Sequence, residues 1–268
     1  MKNTFGALCL FLAVFGFSQS AKTANQIDSL SEAINDPNRN PSYTKRDKYR
    51  NPYETLSFFR INPSMHVLEL SAGGGWYTEI LAPYLKVNGQ LSVTHHNPDA
   101  GDYYLRSRTA FDEKVKSNPL FEGVKVITAD VPPSSAFTDS GSQDLVVTFR
   151  NLHNWLGRDS MKAVMLEAYN SLKPGGYFGV VEHRAPEGSS MEFMKRSGYV
   201  SQSLAIEKAL EVGFKLIDTS EINANPKDTA NHPRGVWTLP PSYRLKDKDR
   251  AKYESIGESD RMTLLFKK

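Results

Sequence analysis

The sequence predicts an α/β fold: a doubly wound, mostly parallel sheet of seven strands with helices on both faces. Three observations lead there. Short apolar runs alternate with longer stretches whose apolar residues recur at helical spacing. The turn between the first run and the first helix is a triple glycine, Gly73-Gly74-Gly75. Strands separated by helices pair in parallel through right-handed crossovers. Composition allows such a fold. Of 268 residues, 39% are hydrophobic and 24% charged, enough to fill a core without the bias of a disordered chain or a coiled coil.

Each element has a local signal. Residues 66–70 (HVLEL) read as the first strand. Beyond the glycines, Tyr77, Ile80, Leu81, Tyr84 and Leu85 share one helical face, and Asn88-Gly89 ends that helix. Residues 90–95 (QLSVTH) are the second strand, 102–116 a charged helix, 124–128 the third strand and 144–149 (DLVVTF) the fourth. Residues 158–172 are helical, with Val164, Met165, Ala168, Tyr169 and Leu172 inward, and Lys173-Pro174-Gly175-Gly176 stops them. The fifth strand covers 177–182, a helix 201–212, the sixth strand 214–219 and the last strand 261–266 (RMTLLF).

Residues 21–62 form an N-terminal helical segment and 63–268 the main domain. In the former, residues 25–34 are a short helix stopped by Asp36-Pro37, and Asn51-Pro52 opens another over 53–60 that packs on the main domain. The basic run from Arg39 to Arg50, broken by Asp47, reads as a solvated face. Residues 221–259 are proline-rich and charged, with Trp237, Pro240-Pro241 and Tyr243. A long irregular segment of this kind is a lid or binding loop, or a packed surface wrap.

Residues 1–20 read as a signal peptide. Lys2 precedes an uncharged apolar run over 5–17, too short for the roughly 20 residues of a spanning helix. Ser18-Gln19-Ser20 then offers small residues at the positions a signal peptidase reads, with cleavage near Ala21. Leu8 is too large to precede a lipoprotein cysteine at Cys9. Cleavage removes the one cysteine, so neither a disulfide scaffold nor a zinc–thiolate site is expected. The expected location is the periplasm or outside the cell, with no membrane span after cleavage. The formal charge of +3 is spread along the chain, and no nucleic-acid partner is expected.

The glycine turn carries the strongest chemical signal. Glycines between a strand and a helix let a ligand approach the backbone, and the helix N-terminus offers free N–H groups. Dinucleotides and S-adenosylmethionine use this geometry. A dinucleotide site wants a small residue three positions after Gly75, where Thr78 stands. The strand carries an acid, Glu69, which suits a sulfonium and an α-amino group better than a pyrophosphate. The turn therefore favours S-adenosylmethionine, with Glu69, Gly73 and Gly75 as contacts.

Residues 66–183 resemble class I S-adenosylmethionine-dependent methyltransferases. The Glu-x-Ser-x-Gly-x-Gly run from Glu69 to Gly75 looks like their first motif, and Leu172-Lys173-Pro174-Gly175-Gly176 like the turn before their fifth strand. More narrowly, the chain resembles a group of bacterial predicted methyltransferases that often carry signal peptides. The strings concerned are Gly73-Gly74-Gly75-Trp76-Tyr77-Thr78-Glu79-Ile80-Leu81, Arg150-Asn151-Leu152-His153-Asn154-Trp155 and Gly257-Glu258-Ser259-Asp260-Arg261-Met262-Thr263. The resemblance implies a Rossmann-like methyltransferase fold, S-adenosylmethionine as cofactor, and methyl transfer to an acceptor it does not name, read here as a small molecule. Ser71 stands where the wider superfamily has its first glycine, and His95 where it has an acid for the ribose hydroxyls. Asp130 matches the position that faces the adenine amino group. Arg150 is also assigned to the cofactor.

Arg150 to Trp155 directly follow the fourth strand, at the ligand edge of the sheet. Asn151, Asn154 and Trp155 are assigned to the acceptor. His153 is the candidate base, because imidazole titrates near neutrality and its segment follows the strand nearest the cofactor's methyl end. His183, at the end of the fifth strand, is the second candidate. No metal is expected: His95 and His96 are adjacent in a strand and point to opposite faces, and no other His/Asp spacing forms a cage. The alternative function is a non-catalytic module that binds an adenosyl ligand on the same fold. Mass spectrometry of the secreted protein is expected to show loss of about twenty residues; an intact Met1 on soluble cytoplasmic protein would refute export.

Overall fold

The computed structural model describes residues 29–268, so the signal-peptide region and the start of the first predicted helix lie outside the described residues. The strands are β1 (His66–Leu70), β2 (Gln90–His96), β3 (Lys125–Ala129), β4 (Gln143–Phe149), β5 (Leu172–Ala185), β6 (Val200–Ser201), β7 (Lys215–Ser220), β8 (Pro233–Val236) and β9 (Arg261–Lys267). The main sheet runs β3-β2-β1-β4-β5-β9-β7, and the two-residue β6 pairs with β5 beside it. β1, β2, β3, β4 and β5 pair in parallel. β9 inserts between β5 and β7 and runs antiparallel to both. The seven-stranded, mostly parallel expectation holds, with the antiparallel pairing confined to the last strand.

The central strands are buried on both faces, as sheet strands covered by helices require. One apolar layer joins β1, β4 and β5 to helices Met161–Ser171 and Gln202–Glu211. The opposite layer joins the sheet to helices Thr78–Leu85 and Pro52–Phe58. The strand order reverses between β1 and β4. That switch point places the ends of β1 and β4 side by side, where open α/β sheets bind ligands.

The N-terminal segment is an integral wall. Ser29 and Glu32 form a reciprocal capping box that opens helix Leu30–Ile34. Phe59 lies over Gly179 of β5 so closely that a Cβ there would fall 2.6 Å from its ring. The basic run from Arg39 to Arg50 is not a solvated face at both of its ends, since Arg39 and Arg50 are each only 2% exposed. Asp47, which breaks the run, is the bidentate partner of Arg39 at 2.8 and 3.1 Å, and Arg39 also donates to the Ile34 carbonyl at 2.6 Å. Both guanidiniums lie near the Trp76 ring, Arg39 at 5.3 Å and Arg50 at 4.5 Å from its centroid.

Residues 221–259 are a packed wrap that also reaches the ligand edge. Asn223 donates to Thr55 and Thr263, and Asn225 donates to the carbonyls of Ile256 and Glu258. Helix Arg250–Ile256 and β8 lie within this stretch, which the sequence pattern reads as irregular. No helix among the described residues is long and apolar enough to cross a membrane. Because the Gly179 backbone and Phe59 leave no room for a methyl group, Gly179→Ala is expected to destabilise the protein by about 1–3 kcal/mol, read from the urea midpoint. Phe59→Leu combined with Gly179→Ala is expected to recover part of that loss.

Candidate active site

A cavity of about 270 Å³ opens at the switch point. Its floor is the turn after β1, Ser71 to Gly74, and the turn after β4, Arg150 to His153. Its walls come from Arg46 and Arg50, from Trp237 and Pro240, and from Glu258 and Arg261. Both turns leave their strands through left-handed residues, Ser71 at φ 53° and Arg150 at φ 64°. Such conformations are costly for residues with a Cβ and cluster at ligand sites. Ser71 thus holds a conformation that glycine adopts without steric cost.

The turn is held from outside. Tyr43 Oη donates to the Gly74 carbonyl at 2.6 Å, and Lys114 Nζ donates to the same carbonyl at 2.5 Å. Gly73 has φ +59°, and a Cβ there would meet no neighbour closer than 3.9 Å, so the backbone faces open space. Gly75 differs from expectation. It does not line the cavity, and at φ +81° a Cβ would press on Phe111 and Phe121 at about 3.0 Å, so its smallness serves packing.

Glu69 sits behind the floor, bordering a void of about 30 Å³ with Arg50, Arg150 and Tyr77. Burial pushes its carboxyl up to about 8, against the opposing hydrogen bond from Thr78 Oγ1 at 2.6 Å. Burial thus favours the protonated carboxyl, and Glu69 is not among the residues that line the cavity.

His95 lies at a narrow crevice of about 10 Å³ with Ser71, His96, Ala129 and Phe137. Its Nε2 bonds the Gly73 carbonyl at 3.0 Å, its ring stacks on Phe111, and burial lowers its pKa to about 4. It therefore braces the glycine turn as a neutral ring. Its buried Nδ1 has no partner. Asp130 accepts from Asn97 at 2.9 Å and from Ser134, and these bonds hold its carboxyl below the ordinary range.

His153 and His183 meet across Glu182. Glu182 Oε1 accepts from His153 Nδ1 at 3.0 Å and from the His183 backbone N–H at 2.8 Å. Its Oε2 faces the His153 backbone N–H at 3.3 Å. A carboxylate only accepts, so it fixes the proton on His153 Nδ1 and leaves Nε2 as the basic nitrogen of a side chain that lines the cavity. His183 is bonded through Nδ1 to Ser259 Oγ at 2.5 Å, and burial, then His153 and the arginines, holds it neutral.

Asn151 lines the cavity, but its amide nitrogen is spent on Leu70 O, Ser71 O and Thr148 Oγ1 at 3.1–3.3 Å. Asn154 and Trp155 do not reach the cavity. They belong to helix Leu152–Leu156, whose spacing turns Leu152, Trp155 and Leu156 into the core and Asn154 to solvent; Trp155 is 1% exposed.

Several wall residues escaped the sequence reading: Tyr43, Arg46, Arg50, Glu258 and Arg261; so did Ser259, the partner of His183. The string from Gly257 to Thr263 was the available signal. In it Glu258 accepts from Arg46 Nε at 2.5 Å and from Arg261, Ser259 bonds His183, and Arg261 reaches the Tyr49 carbonyl at 2.8 Å.

His153, Glu182 and His183 also bring three metal-ligand groups within 4.8 Å, a set the spacing argument missed because Glu182 and His183 are adjacent in β5. The charge around it opposes a cation: Arg150, Arg261 and Arg50 all depress His183.

Residues 68–180 match the family model described as a methyltransferase domain. No curated protein matches the chain in sequence. Its fold is that of a SAM-dependent methyltransferase from Aquifex aeolicus, at TM-score 0.56 and 14% identity over 89% of this chain and 98% of that one. The cyclase SpnF shares the fold at TM-score 0.56 and 15% identity, over 82% and 80% of the two chains. So does a geranyl diphosphate methyltransferase in complex with SAM, at TM-score 0.54 and 11% identity, over 88% and 94%. The matched residues 68–180 include the glycine turn and His153, while Glu182 and the residues that wall the cavity lie outside them.

Glu69 gives the protein a distinctive pH response. Between about pH 4.5 and 8 the unfolded carboxyl has lost its proton while the folded one keeps it, so this group's contribution to stability falls as pH rises through that window. Relative to Glu69→Gln, the parent is expected to lose on the order of 2–4 kcal/mol between pH 5 and pH 8. Urea midpoints at the two pH values measure it, and parallel pH profiles would contradict the assignment.

Proposed function

We propose that the protein transfers a methyl group from S-adenosylmethionine to a small-molecule acceptor in this cavity, with His153 as general base. The observation that carries the reading is the pair of His153 and Glu182, the carboxylate fully buried and the imidazole on the cavity. The fold alone does not carry it, since SpnF is a cyclase on the same fold.

The residues suit the cofactor at the turn, where Gly73 leaves open space beside an exposed backbone. Ser71, Gly73 and Gly74 would hold its methionine part, with Arg150 beside them. His95 and Asp130 are the candidates for its adenosine end. When bound, the cofactor supplies an electrophilic methyl group. The chain's own work is positional and protolytic. Glu182 orients the His153 ring, and Nε2 takes the acceptor's proton as its nucleophile attacks. Neutral His183 and Ser259 pack behind that ring. Export to the periplasm or beyond, drawn from residues 1–20, belongs to this proposal.

His95, which stands where the superfamily has an acid for the ribose hydroxyls and is committed to the Gly73 carbonyl, favours the second reading, a non-catalytic module for an adenosyl ligand. The crevice of about 10 Å³ beside it must widen to admit an adenine ring under either reading. Calorimetry tests the cofactor, which both readings bind, and methyl incorporation separates them. The methyltransferase reading expects S-adenosylmethionine and its demethylated product to bind and NAD not to. His153→Ala is expected to leave cofactor affinity unchanged and to lower labelled-methyl incorporation into a small-molecule extract on the order of 10²-fold. Incorporation at the parental rate with parental pH dependence would remove His153 as base.

A further inference from the structure

The arginine wall carries more positive charge than the protein itself answers. Arg46, Arg50, Arg150 and Arg261 line the cavity. Two carboxylates stand against them: Glu258 on the wall, and Glu182 behind His153, which acts on Arg150. Formal charge is thus two units in excess. The donors are also in excess. Arg50 Nε and Nη2, Arg46 Nη2 and Arg261 Nε are buried and make no hydrogen bond. The side chains of Arg50 and Arg261 are 3% exposed, and the nearest carboxylate oxygen to Arg50 Nε is at 3.6 Å, an ion-pair distance and not a hydrogen bond. Buried guanidinium donors left unmade are rare in native proteins, and several converging on one cavity describe a receptor for an oxyanion.

We propose that Arg46, Arg50 and Arg261 bind a carboxylate or phosphate group of the methyl acceptor, so that the acceptor of this enzyme is an anion. The inference rests on the reading of the cavity as a methyl-transfer site. His153 lines the same cavity, so one small molecule can place its oxyanion on the arginines and its nucleophile at the imidazole. The cofactor does not replace this partner. Its carboxylate offers one negative charge, but its ammonium and sulfonium bring two positive ones, so its arrival adds to the excess.

The test uses inorganic phosphate as the probe, by calorimetry at constant ionic strength in chloride, with the purified protein. Saturable phosphate binding is expected, weakened about tenfold by Arg50→Gln and by Arg46→Gln. Arg46 is partly exposed, so its variant keeps the test valid where Arg50→Gln fails to fold. No saturable binding beyond chloride, or parental binding in the Arg46→Gln variant, overturns the proposal. A second arm distinguishes the cofactor's carboxylate from the acceptor's. Phosphate is expected to leave S-adenosylmethionine affinity unchanged or to tighten it, and S-adenosylmethionine itself is expected to bind Arg50→Gln no more weakly than the parent. Competition between phosphate and S-adenosylmethionine assigns the arginines to the cofactor and overturns the proposal. If phosphate binds and S-adenosylmethionine does not, the oxyanion site stands and the methyl-transfer reading fails. If S-adenosylmethionine binds and phosphate does not, that reading stands and the proposal fails.

Discussion

One buried carboxylate, Glu258, joins the two ends of the described chain over the ligand edge of the sheet. It accepts from Arg46 and Arg261 and lies 3.6 Å from Arg50. Burial alone would raise its pKa; the arginines outweigh burial and hold it at about 2. Arg46 and Arg50 belong to the N-terminal segment, and Glu258 and Arg261 to the turn into the last strand, so residues more than 200 apart in sequence meet at one charge. A buried ion pair is weak as net stabilisation, but losing one partner leaves the others uncompensated. Here that would strand several guanidiniums. The cavity's walls, their spacing and their charge therefore depend on this side chain, although it touches neither the glycine turn nor the base.

The floor depends on a different constraint, the switch in strand order between β1 and β4. Both strands end in a left-handed residue with a side chain, and Asn151 ties the two turns together through Leu70 and Ser71 carbonyls. The strain at Ser71 and Arg150 is thereby held in place by local hydrogen bonding. The same bend brings Gly73 and His153 to one space. His95 and Tyr43 then fix Gly73 and Gly74 by their carbonyls. The site is a braced backbone first, and a set of reactive side chains second.

Periodicity made the sheet legible. Strand β1 falls on its predicted residues, and β2, β3, β4, β7 and β9 within one residue at each end, because apolar runs bounded by turn residues have few other ways to be buried. The antiparallel insertion of β9 was not legible. Nothing local in residues 261–266 says which neighbour they pair with, since strand order is set by the whole packing. Long-range charge was equally hidden. The run from Arg39 to Arg50 looks solvated to any local rule, because its partners Glu79 and Glu258 are distant in sequence. Trp155 shows the opposite failure. Its place after β4 suggested the ligand edge, but one turn of helix was enough to carry the indole into the core.

Glu69 and Glu258 show how far environment divides one residue type. Both are almost completely buried. Glu69 has the Thr78 hydroxyl to stabilise its charge, and burial wins, favouring the protonated carboxyl. Glu258 has three guanidiniums, and charge wins. Two acids bordering the same ligand edge are therefore shifted in opposite directions, Glu69 toward its protonated form and Glu258 toward its charged one. The site's electrostatics cannot be read by counting acidic and basic letters in the motifs. They follow from which carboxyl the fold supplies with cations, and that choice is made by the N-terminal segment and the last turn, outside residues 68–180. Residues 68–180 provide the glycine turn and the candidate base, His153; the flanking segments decide the charge of the space between them.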